Sequence, residues 1–441
     1  MFSSIWGSSA PADPTAPTFH PVTARYDVEK HPELLYGELE PKDTEWLCAG
    51  GFVTETQIFY QIMDDGKFFW CQVIHSSIGV WYPTIQFTCK IYDPKTGERV
   101  WKSVNVSNFT PAPPGTTDKR SSKADEFSIT HSSSPSSAIK PPANASYTYS
   151  ESYTIRCNLG TDLQVSVTVA RPSTCPGFKV GSGPQGGHSY FGSSIDKPDG
   201  NVIHRFWPLT HFEGHIVRNG QAEMVNGKGV FIHAIQGMRP NLIAASWNFG
   251  WFVDQPSGEE TGAGNVAVQM EFKTIEAYGM KGAGSGGVSV SVGAVVVDGH
   301  LATVVGETRL PGAAKLAAAT APGGVTCGVE HLEPVPDSET GYNVPSSIRY
   351  NWSGPAIAGG EKVSAELGVD FGKDAKNVKG LMEKVDVLAE IPSVLKMAVN
   401  YVAGTKPYIY QTINPATLKV TTGENARQVK GTLYNESTFI S

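Results

Sequence analysis

From Gln57 to Ser103 apolar and polar side chains change places at nearly every step, and the pattern breaks only where a turn is due. Ile58, Tyr60 and Ile62 are interleaved with Gln57, Phe59 and Gln61. Asp64-Asp65-Gly66-Lys67 then supplies a tight hairpin turn in which glycine is free to take a positive φ. Phe68 to Ile74 returns as an apolar, aromatic strand. Ile85, Phe87, Cys89 and Ile91 alternate with Thr84, Gln86, Thr88 and Lys90, and Asp93-Pro94-Lys95-Thr96-Gly97 turns the chain into Val100–Val104. Period-two patterning in β-branched and aromatic residues between turn signals predicts an antiparallel meander. Such a sheet must bury its apolar face, and curling into a barrel does so while removing exposed edges.

The same pattern recurs along the rest of the chain. Leu163, Val165, Val167 and Val169 alternate with polar neighbours, as do Val266–Phe272, Val288–Val292 and Val363–Val369. Asp298-Gly299 reads as a second tight hairpin turn. Only Val378 to Val402 departs from it: Leu381, Val385, Leu388, Val394, Leu395, Ala398 and Val402 are spaced as on a helix, which Pro392 would kink or divide. This predicts the longest helix of the molecule. Residues 110–145 are poor in apolar side chains and rich in Ser and Pro, and are expected to be a disordered loop with room for a short strand at Phe127-Ser128-Ile129. Residues 10–21 hold four prolines and read as a linker. The expected fold class is therefore mainly β, with two tandem antiparallel β-barrels and one longer helix near the C-terminus. The domains expected are 1–20 as a terminal segment with linker, 21–216 as the first barrel and 217–441 as the second.

Composition narrows the function. The 441 residues include 47 glycines and 30 prolines, as suits a turn-rich β protein, and the net charge of −7 with no basic stripe argues against nucleic acid. Met1 to Gly7 lacks the basic start and long apolar core of a secretion signal, so the six cysteines are expected to be reduced. Gly181-Ser182-Gly183-Pro184-Gln185-Gly186 matches the glycine spacing of a dinucleotide loop, but no helical period follows it. His211, Glu213 and His215 would share one side of a strand, an arrangement that is more often solvated than metal-bound. No catalytic set, metal site or cofactor is assigned.

The aromatic residues carry more. Nine tryptophans occur, several in strand-like contexts beside Tyr or Phe. Barrels with apolar lumens present such rings inward, and Trp70, Trp81, Tyr82, Trp207 and Trp247 are the candidate lumen residues. At the N-terminus Phe2, Ile5 and Trp6 fall on one arc of a helical wheel, which marks them as a candidate membrane-binding face.

Several stretches together resemble the fungal survival-factor family. They are Glu45-Trp46, Ile78 to Phe87, Gln236-Gly237-Met238-Arg239-Pro240-Asn241 with Trp247-Asn248-Phe249, Asp386 to Pro392, Lys406-Pro407-Tyr408-Ile409-Tyr410, and Val429 to Glu436. The resemblance spans residues 45–441 and implies two tandem lipocalin-like domains. It further implies a soluble, intracellular protein that binds ceramide or a similar sphingolipid, moves it between endoplasmic reticulum and Golgi, and supports survival under oxidative stress. An N-terminal amphipathic segment would hold such a protein on the membrane surface, with cytoplasmic and nuclear pools besides. A monomer without cofactor is expected, and no catalytic residues carry over. Two other readings stay open: an enzyme of the two-barrel type (hydratase, isomerase or cyclase) acting on an apolar metabolite, and a ligand-free interaction protein in stress signalling. A buried acid or histidine facing the lumen would favour the enzyme. A dry cavity would favour the carrier, and filled cores would favour the interaction protein.

Overall fold

The computed structural model describes residues 17–79, 83–112, 117–134, 139–141, 145–255, 264–280, 287–313, 324–390 and 406–440. Nearly all of the regular structure is antiparallel strand. The first sheet is built on nine main strands: β1 Gly51–Met63, β2 Phe68–Gly79, β3 Thr84–Tyr92, β4 Arg99–Asn105, β5 Phe127–Ser132, β6 Tyr149–Asn158, β7 Leu163–Pro172, β8 Gly200–Arg218 and β9 Gln221–Gln236. They lie in the order β4-β3-β2-β1-β9-β8-β7-β6-β5, so β1 closes against β9 rather than against a sequence neighbour on both sides. The sheet curls into a half-barrel, and the ring of Phe87 on β3 reaches that of Phe127 on β5 across the interior at 4.8 Å.

The second sheet comprises β10 Ser246–Asp254, β11 Val266–Lys273, β12 Ser289–Val297, β13 His300–Arg309, β14 Thr326–Leu332, β15 Ser347–Pro355, β16 Lys362–Asp370, β17 Leu381–Asp386, β18 Tyr408–Thr422 and β19 Asn425–Phe439. Its order is β13-β12-β11-β10-β19-β18-β16-β15-β14, with β17 added to β18, and it forms a nearly closed barrel. Asp298 and Gly299, at φ 50° and 77°, make the tight turn between β12 and β13.

Strand alternation sorts the apolar residues into three cores. Phe59, Phe69, Cys71, Phe87, Tyr153, Val167, Trp207 and Phe231 fill the half-barrel. Phe252, Val295, Tyr350, Trp352, Leu367 and Leu433 fill the second barrel. The opposite faces of the two sheets meet in a third core: Tyr60, Phe68, Trp70 and Phe206 from the first sheet pack with Phe249, Trp251, Val292 and Tyr434 from the second. The barrels are thus joined by a broad apolar seam.

Three expectations are corrected here. The passage between the sheets falls between Gln236 and Ser246 rather than at residue 217, because β9 remains in the first sheet as the partner of both β1 and β8. Leu381–Asp386 is a strand, where the ladder to Tyr408–Thr412 outweighs a spacing that also fits a helix, and among the described residues of that stretch the helix covers Val387–Glu390. The remainder of the expected helix lies outside the described residues. Within 110–145, β5 pairs along its whole length with β6, and Phe127 and Ile129 are buried in the half-barrel. The short strand expected at Phe127-Ser128-Ile129 is thus present and extends to Ser132, held by its ladder and by two inward-facing apolar residues.

Candidate functional site

The interior of the second barrel is arranged in three rows that run across the strands. In the uppermost row Ser437, Asn248, Glu271, Ser291 and Glu307 lie side by side in register. Below it come Asn435, Gly250, Gln269, Gly293 and Val305, and below these Leu433, Phe252, Ala267, Val295 and Thr303. The barrel is polar at the mouth and apolar at the floor. That gradient comes from period two: the residues between them, such as Phe249, Val268 and Val292, belong to the seam.

The mouth is tightly bonded. Asn248 Nδ2 donates to Tyr350 OH at 2.5 Å, Tyr350 OH donates to Asn435 Oδ1 at 2.5 Å, and Ser437 Oγ donates to Asn248 Oδ1 at 3.1 Å. His331 Nε2 lies 2.8 Å from Asn248 Oδ1. Glu271 accepts from Ser291 and Arg309 and, at 3.2 Å, from the Val329 backbone N–H. Glu307 accepts the Cys327 N–H at 2.8 Å. Burial raises both carboxyls above their ordinary value, more than Arg309 and their hydrogen bonds lower them. A cavity of about 110 Å³ opens here between Trp247, Asn248, Glu271, Lys273, Val329 and His331. It admits a small polar group; pockets for drug-sized ligands run to roughly 300–1,000 Å³. Beneath it the stacked rings of Tyr350 and Trp352, 5.6 Å apart, occupy the centre of the barrel, so a long chain enters only if they move.

The half-barrel is plugged differently. The segment around Asp43–Cys48 lies over its open end: Glu55 binds His233 Nε2 at 2.8 Å and accepts the N–H groups of Leu47 and Cys48, while Lys179 reaches Asp43 at 2.7 Å. Trp46, Tyr153 and Trp207 are buried beneath it. These bonds hold chain to chain across that end.

Of the candidate lumen residues, Trp207 faces the interior of the half-barrel, packed on Tyr153 and Phe231 at 5.0 and 5.1 Å. Trp70 does not face a lumen: it alternates with Phe69 and Cys71 and lies in the seam. Trp247 is also on the seam face, tilted against Phe272 at 5.0 Å, and meets the lumen at the rim of the small cavity. Trp81 and Tyr82 lie outside the described residues, as do Phe2, Ile5 and Trp6. The glycine-rich loop 181–186 leads into the strand His188–Phe191, with no helix to receive a phosphate. His211 Nδ1 is engaged by the hydroxyls of Tyr147 and Tyr149 at 3.1 and 3.0 Å. Among the described residues, no helix is long and apolar enough to cross a membrane. The polar mouth itself escaped sequence reasoning. Its one signal was glycine at Gly250 and Gly293 inside strand patterns, which marks a close approach by another group.

The chain matches the model of the Svf1 family over residues 2–441. Among its relatives, the ceramide-binding protein svf1 of Schizosaccharomyces pombe is 30% identical over 92% of this chain and 90% of its own length. The ceramide-binding protein SVF1 of Yarrowia lipolytica is 31% identical over 100% of this chain and 98% of its own. Among solved structures, CghA superposes with a TM-score of 0.53 at 11% identity, covering 88% of this chain and 89% of that one, a likeness of fold alone.

Proposed function

The chain belongs to the Svf1 family, and from that premise we propose that it is a ceramide carrier rather than an enzyme. The observation that carries this reading is the match, over 90% or more of both chains, to relatives named as ceramide-binding proteins. The second barrel supports it, because its polar mouth and apolar floor match the two ends of a neutral sphingolipid. The lipid's amide and hydroxyls would meet Asn248, His331 and their neighbours. Its chains would enter the floor as the Tyr350–Trp352 pair moves aside, each buried methylene contributing about 0.8 kcal/mol. Transfer from endoplasmic reticulum to Golgi, support of survival under oxidative stress, and a cytoplasmic monomer held on membranes through Phe2, Ile5 and Trp6 complete the proposal.

The test is transfer of a fluorescent ceramide between two vesicle populations by the purified full-length chain. Transfer that scales with protein concentration is expected; failure to extract ceramide would overturn the reading. A second reading, an enzyme acting on an apolar metabolite, is favoured by Glu271, its carboxyl raised, beside His331 at the cavity, with the raised carboxyl of Glu307 in the same row. Recovery of chemically altered lipid after incubation would select it.

A further inference from the structure

Gln269 stands one row below the polar mouth of the second barrel, with both ends of its amide unbonded. The side chain is fully buried, and neither Oε1 nor Nε2 has a hydrogen-bond partner. Its direction is fixed by the strand: Val268 packs into the seam, Ala267 into the barrel, and Gln269 shares the inward face. Across the ladder it is flanked by glycine on both sides, Gly250 on β10 and Gly293 on β12. A Cβ at Gly250 would lie 2.5 Å from the Tyr350 ring, and one at Gly293 would lie 2.9 Å from Trp352 Nε1. The glycines therefore admit aromatic rings beside the carboxamide. Those rings bond elsewhere, Tyr350 to Asn435 and Trp352 to the Val268 carbonyl at 3.0 Å.

A carboxamide both donates and accepts, and burying it with neither bond made is costly. Leucine or methionine would fill the same volume without that cost. An amide kept at this depth, between a polar cavity and an apolar floor, gains its bonds only when something enters. We propose that Gln269 reads the polar end of the bound lipid, its carboxamide taking from the ligand the hydrogen bonds it lacks in the empty barrel. The ligand class is a long-chain lipid with a neutral headgroup carrying amide or hydroxyl groups. An anionic headgroup is disfavoured there, since Glu271 and Glu307 border the row above. This proposal rests on the carrier reading and assigns one residue to it.

The experiment uses the full-length chain, Gln269→Met and Gln269→Leu, with Gln61→Leu as a matched control. Gln61 is likewise buried with an unbonded amide, but in the half-barrel. Two quantities are read: the lipid-free thermal midpoint and the affinity for N-palmitoyl ceramide. Both Gln269 variants are expected to melt higher without lipid and to bind ceramide about tenfold more weakly, the size of one lost buried hydrogen bond. Gln61→Leu is expected to keep its ceramide affinity. Unchanged affinity in the Gln269 variants overturns the proposal, as does a loss confined to Gln61→Leu. A lower lipid-free midpoint in both Gln269 variants also overturns it, because an ordered water would then satisfy the amide in a purely structural role. A wild-type chain that takes up no ceramide overturns the carrier reading itself and this proposal with it.

Discussion

Lys90, on the first sheet, donates to Gln411, on the second, with 2.7 Å between Nζ and Oε1. Both are buried, and the bond crosses the largely apolar seam, as does the buried ion pair of Lys228 with Asp254. The ammonium also pairs with Glu383 and sits over the Trp101 ring, 4.5 Å from its centroid. Gln411 continues the chain, donating to Glu436 at 2.8 Å, and Tyr60 and Tyr434 donate to the same carboxylate. Burial lowers the Lys90 ammonium from its ordinary value, while Glu383 and Glu436 oppose that shift. Such a network adds little net stability over an apolar seam, but losing one partner leaves charge buried. The bonds of Lys90 each join one position of the first sheet to one position of the second.

Lys90→Ala should therefore cost about 1.5–3 kcal/mol of stability, the range for losing hydrogen bonds to a charged group, because Glu383 keeps its pair with Arg99 at 2.9 Å. Lys30→Ala, which removes an exposed pair with Asp27, should leave stability unchanged within error. Urea denaturation of both variants checks this, and equal midpoints would show that the seam holds without its polar chain.

Gly293→Val should destabilise the second barrel. The new Cβ would sit 2.5 Å from the Val268 carbonyl oxygen, which is backbone and cannot yield, and 2.9 Å from Trp352 Nε1. Overpacking of this kind costs about 1–3 kcal/mol. The Tyr350–Trp352 stack should loosen with it, readable as a change in tryptophan fluorescence.

How much of this was legible beforehand follows from range. Period two fixed the strands from β1 to β4 and the hairpin turns, because alternation and turn chemistry are local. The seam was not legible: Trp70 and Phe69 are equally apolar, and only sheet-on-sheet packing decides that one faces the neighbouring barrel and the other the lumen. Leu381 and Val385 fit either period, and a partner strand some thirty positions later decided between them. The mouth was hidden for the same reason, since Asn248, Glu271, Glu307 and His331 come from four strands and no single stretch contains the pattern.

The N-terminal segment should bind membranes weakly and reversibly. Burying Phe2, Ile5 and Trp6 in full would give roughly 5–8 kcal/mol. Ordering about seven residues costs on the order of 1–2 kcal/mol each, which matches or exceeds that gain, so no strong anchor results. The segment carries no Lys or Arg, so binding should depend little on salt. Liposome flotation of Phe2→Asp, Ile5→Asp and Trp6→Asp should show reduced recovery; recovery equal to the intact chain would remove the segment from membrane binding.

Acid should loosen the half-barrel through Glu151. Its carboxylate lies 2.7 Å from Arg171, 3.2 Å from His131 Nε2 and 3.4 Å from Arg120, which also pairs with Asp118. Burial alone would raise this carboxyl, but the bonds to His131 and Arg171 win and hold it at about 2, down from 4.5. A carboxyl lowered by folding stabilises the fold above its unfolded value, and that stabilisation drains away as pH falls through the folded one. The window therefore runs from about pH 4.5 down to about pH 2. At neutral pH the contribution is roughly 2–3 kcal/mol after discounting for the part of the side chain that water reaches. Glu151→Gln should lower stability near neutral pH by that order. Below about pH 4.5 the gap between the two proteins should narrow, because the wild-type carboxylate is being protonated while the amide has nothing to titrate. Denaturation midpoints for both proteins across that range decide it. A gap that stays constant as pH falls would mean that Glu151 is held by packing, and that its partners Arg120, His131 and Arg171 contribute no charge-dependent stability.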